Sequence, residues 1–252
     1  MLAQEVFKPE PGDIFVCSYP KSGTTLMKAL TFAIINRCKY NFDDSSHPLL
    51  FRNPHECVPF LRGDFDKIRD SGVPLMASHT PYYSLPKSER RANDRAFSLE
   101  QGFELFCQGK STFGPIWDHI MGYWKASLEK PNKVMFVKYE DMKKDTASYV
   151  KKLAEFVGYP FSPQEEQAGT VRKIIDLCSF ENLSGLAVNK TGSWGDVGNP
   201  VSINGDPIPN RILFRKGKVG DWSDYLIPEM AKRLDKTMEE KLSGSGLTFD
   251  NS

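Results

Sequence analysis

Residues able to bind an anion are concentrated between Ser18 and Thr25, in the order Ser-Tyr-Pro-Lys-Ser-Gly-Thr-Thr. An apolar run, 14–17, precedes them, and a segment with helical character, 26–37, follows. A loop of small residues between a strand and a helix binds phosphate, because its amides and the helix N-terminus point at the anion. Lys21 adds a positive charge to this predicted site. The alternative is a plain strand-to-helix turn that carries an exposed lysine.

The position of the lysine argues against a nucleoside triphosphatase. In the common triphosphate-binding loop, Lys directly follows the last Gly and precedes Ser or Thr. Here Lys21 precedes Ser22 and Gly23 instead, so it enters from the other side of the turn. A kinase or NTPase, with Asp141 as the candidate magnesium ligand, is therefore the weakest of the functional hypotheses.

His79 is the candidate general base, because it directly follows the predicted strand Val73–Ser78. Ligands of open parallel sheets bind at the carboxyl ends of strands, so we expect His79 on the same sheet edge as Lys21. An imidazole titrates near neutrality and can accept a proton from a hydroxyl group. A structural role is the alternative. Of the other histidines, His55 is expected in a loop and His119 in a helix, neither of them beside the phosphate loop.

A second basic segment contains Arg215, Lys216 and Gly217. An Arg fork with a neighbouring Lys suits a phosphate group, and glycine lets the backbone approach it closely. The alternative is a solvated basic turn. Tyr139, at the end of a third predicted strand, is either an aromatic group that stacks on a nucleotide base or a packing residue.

Short apolar runs alternate with helical patterns, which predicts an α/β fold with a parallel central sheet flanked by helices. The predicted strands are Asp13–Ser18, Val73–Ser78 and Lys133–Tyr139. Amphipathic helices are predicted around residues 116–128, 149–157 and 230–242, the first two with Leu128 and Phe156 on their apolar faces, and another helix around 103–105. Residues 47–71 and 190–210 are expected to form long loops. We expect one domain over residues 1–252.

Composition excludes several other classes of protein. The chain has 252 residues and a formal net charge of +1, which gives no reason to expect a nucleic acid or an anionic membrane as partner. The five cysteines are scattered and form no Cys-x-x-Cys pair, which indicates reduced thiols rather than disulfides or a zinc site. No apolar run approaches the ~18 residues of a membrane helix, and no signal-peptide core is present. We therefore expect a cytoplasmic protein.

In combination, these motifs resemble the cytosolic sulfotransferase family, most closely its plant branch. The resemblance covers about residues 7–248. It rests on motifs in the following order: Tyr19 to Thr25, Asn53-Pro54-His55 with Val58-Pro59-Phe60, His79, Tyr139 to Met142, Cys178-Ser179-Phe180, and Arg215-Lys216-Gly217 through Asp221-Trp222.

The resemblance implies transfer of a sulfuryl group from 3′-phosphoadenosine 5′-phosphosulfate (PAPS) to a small hydroxylated acceptor, without a metal. Lys21 would stabilise charge on the bridging oxygen, and His79 would take the acceptor's proton. The remaining implied contacts with PAPS are the loop residues Lys21, Ser22, Gly23, Thr24 and Thr25 for the 5′-phosphosulfate, Leu26, Tyr139 and Phe180 for adenine, and Arg215, Lys216 and Gly217 for the 3′-phosphate.

The chain also departs from the family pattern. Leu26 stands where the family has a stacking Trp, and Cys178 stands where it usually has Thr. A strand-and-helix segment that carries two 3′-phosphate ligands is expected to be missing between Ser88 and Glu89, together with the family's N-terminal region. Arg90, Arg91 or Arg95 either replace those ligands or form a solvated charge run.

Two functional hypotheses follow. The first is an active sulfotransferase, monomeric or homodimeric, that acts on a flavonoid, steroid, jasmonate-like or desulfoglucosinolate acceptor. The second is an impaired or inactive relative that binds nucleotide weakly. A truncated or decayed gene, an alternative gene model and an omitted segment all remain open as explanations of the shortening.

Overall fold

The computed structural model describes residues 10–42, 45–61, 75–79, 98–111, 113–194 and 207–249. The chain forms two compact units. The first, here called the phosphate-loop unit, comprises Phe7–Ser78 and Val137–Gly217. The second unit comprises Met1–Val6, His79–Phe136 and Lys218–Ser252. Arg90, Arg91, Arg95 and the junction between Ser88 and Glu89 lie outside the described residues, as do parts of both predicted long loops.

A parallel sheet forms the centre of the phosphate-loop unit. Strand β1 (Ile14–Cys17) pairs with β2 (Leu75–Ser78) in parallel, with Cys17 opposite Ser78. A parallel bridge joins Phe60 to Ala77 on the other side of β2. The first two of the three predicted strands and the parallel α/β architecture are therefore confirmed.

The described helices are, in chain order, α1 (Thr24–Asn36), α2 (Pro54–Cys57), α3 (Leu99–Cys107), α4 (Ile116–Glu129), α5 (Tyr139–Lys144), α6 (Thr146–Phe156), α7 (Pro163–Gln167), α8 (Thr170–Leu177), α9 (Phe180–Gly185), α10 (Ala187–Thr191) and α11 (Pro228–Leu242). Short 3-10 helices cover Pro48–Leu50, Asn210–Leu213 and Asp221–Asp224. Two short strands, β3 (Ser193–Trp194) and β4 (Ile208–Pro209), pair in antiparallel orientation. The predicted helices all form. No described helix is long and apolar enough to cross a membrane.

Helix α1 is the element that positions the phosphate loop. It begins directly after Gly23, whose left-handed backbone ends the loop. Its core-facing residues Ala29, Leu30, Ala33 and Ile34 are almost completely buried. The helix packs against α2, α6 and α8. Burial of this apolar face anchors the helix, so its N-terminus has a fixed position.

The prediction of a third strand over Lys133–Tyr139 is wrong. Residues 134–138 have no regular structure and are half-buried, and α5 begins at Tyr139. A parallel strand is stabilised by hydrogen bonds to its neighbours. No described strand pairs with this segment, so its apolar sequence alone does not form a ladder.

Two predicted apolar faces are only partly correct. Leu128 of α4 is 61% exposed and Phe156 of α6 is 36% exposed. Helix α4 instead buries a face that includes the small residues Gly122 and Ala126. Small side chains let a neighbouring element approach closely, and α4 packs against α11 in the second unit.

Candidate functional site

The predicted phosphate loop is a tight turn between β1 and α1. The Ser22 N–H and the Ser22 hydroxyl both donate to the Tyr19 carbonyl, at 3.2 and 2.6 Å. Lys21 has a φ of 67°, a left-handed conformation that is uncommon outside glycine, and Gly23 has a φ of 98°. Non-glycine residues in this region of backbone space cluster at functional sites, which favours a binding loop over a plain turn.

Hydroxyl groups join this loop to the end of the sheet. The Ser18 N–H donates to the Ser78 carbonyl at 3.1 Å, which extends the β1–β2 ladder by one bond. The hydroxyl oxygens of Ser18 and Thr24 lie 2.6 Å apart. The first turn of α1 is therefore held to the carboxyl end of β1.

The structure brings the two predicted basic segments together. The Lys21 ammonium donates to the Ile212 carbonyl at 2.7 Å, across 191 positions of the chain. Partial burial, with a smaller contribution from the Arg215 guanidinium, lowers the pKa of Lys21. Two positive charges therefore lie near the predicted phosphate loop, an arrangement that suits a multiply charged phosphate ligand.

Tyr139 lies against the phosphate loop, although it begins a helix rather than ending a strand. A methyl group built on Gly23 would come within 2.8 Å of the Tyr139 ring. Glycine at position 23 is thus required both by its φ and by this close approach. The ring is half-buried, so part of its surface is accessible to a ligand.

Phe180 and Gly217 are also in contact. A Cβ atom built on Gly217, whose φ is 64°, would lie 2.6 Å from the Phe180 ring. The Phe180 and Phe214 rings meet edge to face, with centroids 6.3 Å apart. Phe214 directly precedes Arg215 in the chain, and Phe180 lies against Gly217, so two aromatic rings border the second basic segment.

Two further predicted residues fall in different environments. Leu26 is half-buried in the first turns of α1, and Cys178 is completely buried. Burial raises the pKa of the Cys178 thiol. Cys178 therefore acts as a small apolar core residue, in contrast to the hydroxyl-bearing Thr that the family usually has there.

His79 directly follows β2, as predicted, and its ring packs edge to face on Phe113 with centroids 5.4 Å apart. His79 and Phe113 belong to the second unit, whereas Lys21 belongs to the phosphate-loop unit. The expectation that His79 and Lys21 share one site stays a prediction.

Sequence reasoning missed His55. The expectation that His55 lies in a loop, away from the phosphate loop, is wrong: it lies in α2, is 4% exposed, and its Nε2 is 3.0 Å from the Thr25 hydroxyl. Its Nδ1 is 3.2 Å from the Lys28 ammonium. The Asn53-Pro54-x-Glu56 pattern, which forms a capping box here, was the available signal for a helix at this point.

Comparison with protein families identifies the chain. The sequence profile of one family, the Sulfotransferase domain, matches residues 11–95 and 89–246. The chain belongs to the sulfotransferase family. It is an enzyme that transfers a sulfuryl group from PAPS to a hydroxyl group of a small molecule.

Plant sulfotransferases are similar over nearly the whole chain. The flavonol 3-sulfotransferase of Flaveria bidentis is 46% identical over 281 positions, which cover 99% of this chain and 88% of that protein. Cytosolic sulfotransferase 17 of Arabidopsis thaliana is 44% identical over 284 positions, which cover 99% of this chain and 80% of that protein. These alignments are longer than the 252 residues of the chain, so each relative has internal positions without a counterpart here.

Solved sulfotransferase structures share the fold. An Arabidopsis thaliana protein provisionally described as a steroid sulphotransferase superposes with a TM-score of 0.66 at 33% identity, covering 98% of this chain and 82% of that one. A retinol dehydratase in complex with androsterone and the inactive cofactor PAP gives a TM-score of 0.64 at 20% identity, covering 96% of this chain and 84% of that one.

Proposed function

We propose that the phosphate-loop unit binds PAPS, with residues Lys21 to Thr25 around the 5′-phosphosulfate. The observation that carries this proposal is the approach of Lys21 and Arg215 to the same loop. On binding, the Lys21 ammonium would move its hydrogen bond from the Ile212 carbonyl to the oxygen that bridges phosphorus and sulfur. A lysine with a lowered pKa neutralises the charge that develops on that oxygen as the sulfuryl group departs.

The rest of the nucleotide would lie along the second basic segment. Arg215, Lys216 and Gly217 suit the 3′-phosphate, since guanidinium, ammonium and an accessible backbone amide all donate hydrogen bonds. Phe180 lies against Gly217, and we assign it to the adenine ring together with Tyr139 and Leu26. Phe180 and Tyr139 supply the aromatic surface that Leu26, in place of the family's Trp, does not.

His79 is the proposed general base of the transfer. The acceptor oxygen attacks sulfur while its proton moves to the imidazole, and the bond between sulfur and the bridging oxygen breaks. The electron pair of that bond stays with the 5′-phosphate of the departing adenosine 3′,5′-bisphosphate (PAP). We propose that this step proceeds without a metal ion, because Lys21 supplies the positive charge at the leaving oxygen.

The acceptor we propose is a small planar phenol or alcohol, with flavonols as the first candidates. Similarity to flavonol sulfotransferases supports this choice, and steroid, jasmonate-like and desulfoglucosinolate alcohols are the other classes. We expect the enzyme in the cytoplasm, as the names of its relatives indicate. We expect it as a monomer or homodimer, without a nucleic acid or membrane partner.

Turnover tests the proposal directly. Purified protein is incubated with PAPS and each acceptor class, and product is detected by mass spectrometry with PAP release as a second measure. We expect His79→Asn to lower turnover about 100-fold or more without changing PAP affinity. Lys21→Met is expected to lower turnover too, and Lys236→Met, on the exposed side of α11, is its matched control. A folded wild-type protein that sulfates no acceptor class overturns the proposed activity.

An impaired relative is the second candidate function. The family profile matches in two parts that meet at residues 89–95, where the sequence predicts a missing segment, and this supports the alternative. The unformed strand at residues 134–138 also supports it. Calorimetry with PAP separates the candidates: weak or absent binding favours the impaired protein, whereas tight, saturable binding together with turnover excludes it.

A further inference from the structure

A buried lysine lies one turn beyond the phosphate loop. Lys28 in α1 is 0% exposed, and its ammonium lies 3.5 Å from the centroid of the Phe60 ring and 3.2 Å from Nδ1 of His55. Lysine is almost never fully buried unless its charge has partners, because removing an ammonium from water is costly. The Phe60 ring face favours the charged form, since a neutral amine gains no cation–π attraction. We therefore treat Lys28 as an ammonium.

This charge determines the direction of two hydrogen bonds. An ammonium only donates, so Nδ1 of His55 accepts from Lys28 and the imidazole proton resides on Nε2. Nε2–H then donates to the Thr25 hydroxyl oxygen at 3.0 Å. Thr25 has no other hydrogen-bond partner among the described residues. Its hydroxyl proton is therefore available to a ligand of the loop, and the hydroxyl acts as a donor.

The imidazole has little freedom to leave this arrangement. The backbone N–H of His55 donates to the Asn53 side-chain oxygen at 2.8 Å, and the Asn53 side-chain amide donates to the Asn189 side-chain oxygen at 2.8 Å. The His55 ring also packs against Phe60 and Trp194, with centroid distances of 5.5 and 5.4 Å. A ring held on this many sides presents Nε2 to Thr25 in one orientation.

We propose that Lys28 and His55 are positioning residues that turn the Thr25 hydroxyl into a hydrogen-bond donor for the 5′-phosphate of the nucleotide. The inference rests on the proposed function of the loop. Without the ammonium, the imidazole is free to carry its proton on Nδ1. Nε2 would then accept the Thr25 hydroxyl proton and withdraw it from the phosphate. The relay thus links a buried charge to an anion site that it does not touch.

Calorimetry with two nucleotides tests the relay. PAP carries the 5′-phosphate and adenosine 3′-monophosphate does not. We expect Lys28→Met to weaken PAP binding about 10- to 100-fold, as expected for a lost hydrogen bond to a charged group. Binding of adenosine 3′-monophosphate should be unchanged. Thr25→Val should show the same selective loss, Thr25→Ser should retain affinity, and Lys28→Met should add nothing in the Thr25→Val background.

The histidine tautomer provides a second readout that needs no ligand and is measured on the wild-type protein. Nitrogen-15 NMR of the wild-type protein, with His55 assigned by the signal lost in His55→Gln, should show the Nε2–H form. An Nδ1–H form overturns the inference, as does an equal loss of affinity for both nucleotides in Lys28→Met. A wild-type protein that binds neither nucleotide overturns the proposed function and this inference together. If the wild-type protein binds PAP selectively and Lys28→Met binds it equally well, this inference alone is overturned.

Discussion

A methyl group added at Gly217 tests whether Phe180 and Gly217 belong to the nucleotide site. In Gly217→Ala the new Cβ would lie 2.6 Å from two atoms of the Phe180 ring and 2.8 Å from the Phe180 Cβ. Separations under 3.0 Å are not tolerated, so either the ring or the backbone of the basic segment must move. Gly220→Ala is the matched control, because Gly220 also has a positive φ, 79°, but an added Cβ meets nothing within 4 Å.

The expected magnitudes follow from these two differences. The left-handed backbone costs an alanine about 1–2 kcal/mol of folding free energy at either position. Displacing the Phe180 ring from its rotamer adds about 0.5–1.5 kcal/mol at Gly217 alone. Stacking of a base on an aromatic ring contributes about 1–3 kcal/mol, so displacement of Phe180 should weaken PAP binding about 5- to 100-fold.

Urea unfolding and calorimetry with PAP measure the two effects separately. Both alanine variants should lose stability, Gly217→Ala more than Gly220→Ala, and only Gly217→Ala should lose PAP affinity. In a Phe180→Ala background the two contacts at 2.6 Å are removed and only the 2.8 Å contact with Cβ of residue 180 remains, so the extra loss from Gly217→Ala should become smaller. Equal PAP affinities of the two glycine variants would refute the assignment of Phe180 and Gly217 to the nucleotide site.

Three further predictions concern titration and reactivity. Arg37 donates to Glu165 at 2.6 Å and holds the pKa of that carboxyl at about 2, below its usual 4.5. The pair therefore contributes to folding stability above pH 4.5, and this contribution is lost as pH falls towards 2. Glu165→Gln should cost about 1–3 kcal/mol at pH 7 and progressively less below pH 4.5, measured by urea unfolding. Burial lowers the pKa of His119 from 6.5 to about 4, so wild-type stability should fall as pH drops from 6.5 to 4, and a flatter profile is expected in His119→Gln. Burial raises the pKa of Cys57 to about 12 and also raises that of Cys178, whereas Cys38 is exposed. Iodoacetamide at pH 8 should therefore alkylate Cys38 first, as followed by peptide mass spectrometry. Early alkylation of the peptide that contains Cys178 would contradict the packing described.

Local sequence signals predicted the loop and its flanking elements well. Small residues with one lysine between an apolar run and a helical segment predicted the turn, β1 and α1, and all three form. These features depend on neighbouring residues: glycine at position 23 takes the left-handed conformation that starts α1, and the backbone groups of the turn bond within a few positions.

Contacts between distant segments were less predictable. The order of motifs identified the family and placed Arg215 and Lys21 in one site, and the structure does bring them together. The same reasoning expected a strand at residues 133–139 because of its apolar run. A strand depends on a pairing strand elsewhere in the chain, and no described strand pairs with this segment.

The sequence by itself therefore determined the family, the reaction and the local shape of the phosphate loop, because these depend on residue type and spacing. Only the tertiary structure decided which side chains support the loop from behind. His55 meets Thr25 across 30 positions, and Phe180 at the start of α9 meets Gly217 across 37 positions. Such contacts depend on how helices and sheet pack, which no short stretch of sequence encodes. For that reason the contacts that join Lys28, His55 and Thr25 appear in the packed structure and not in the motif.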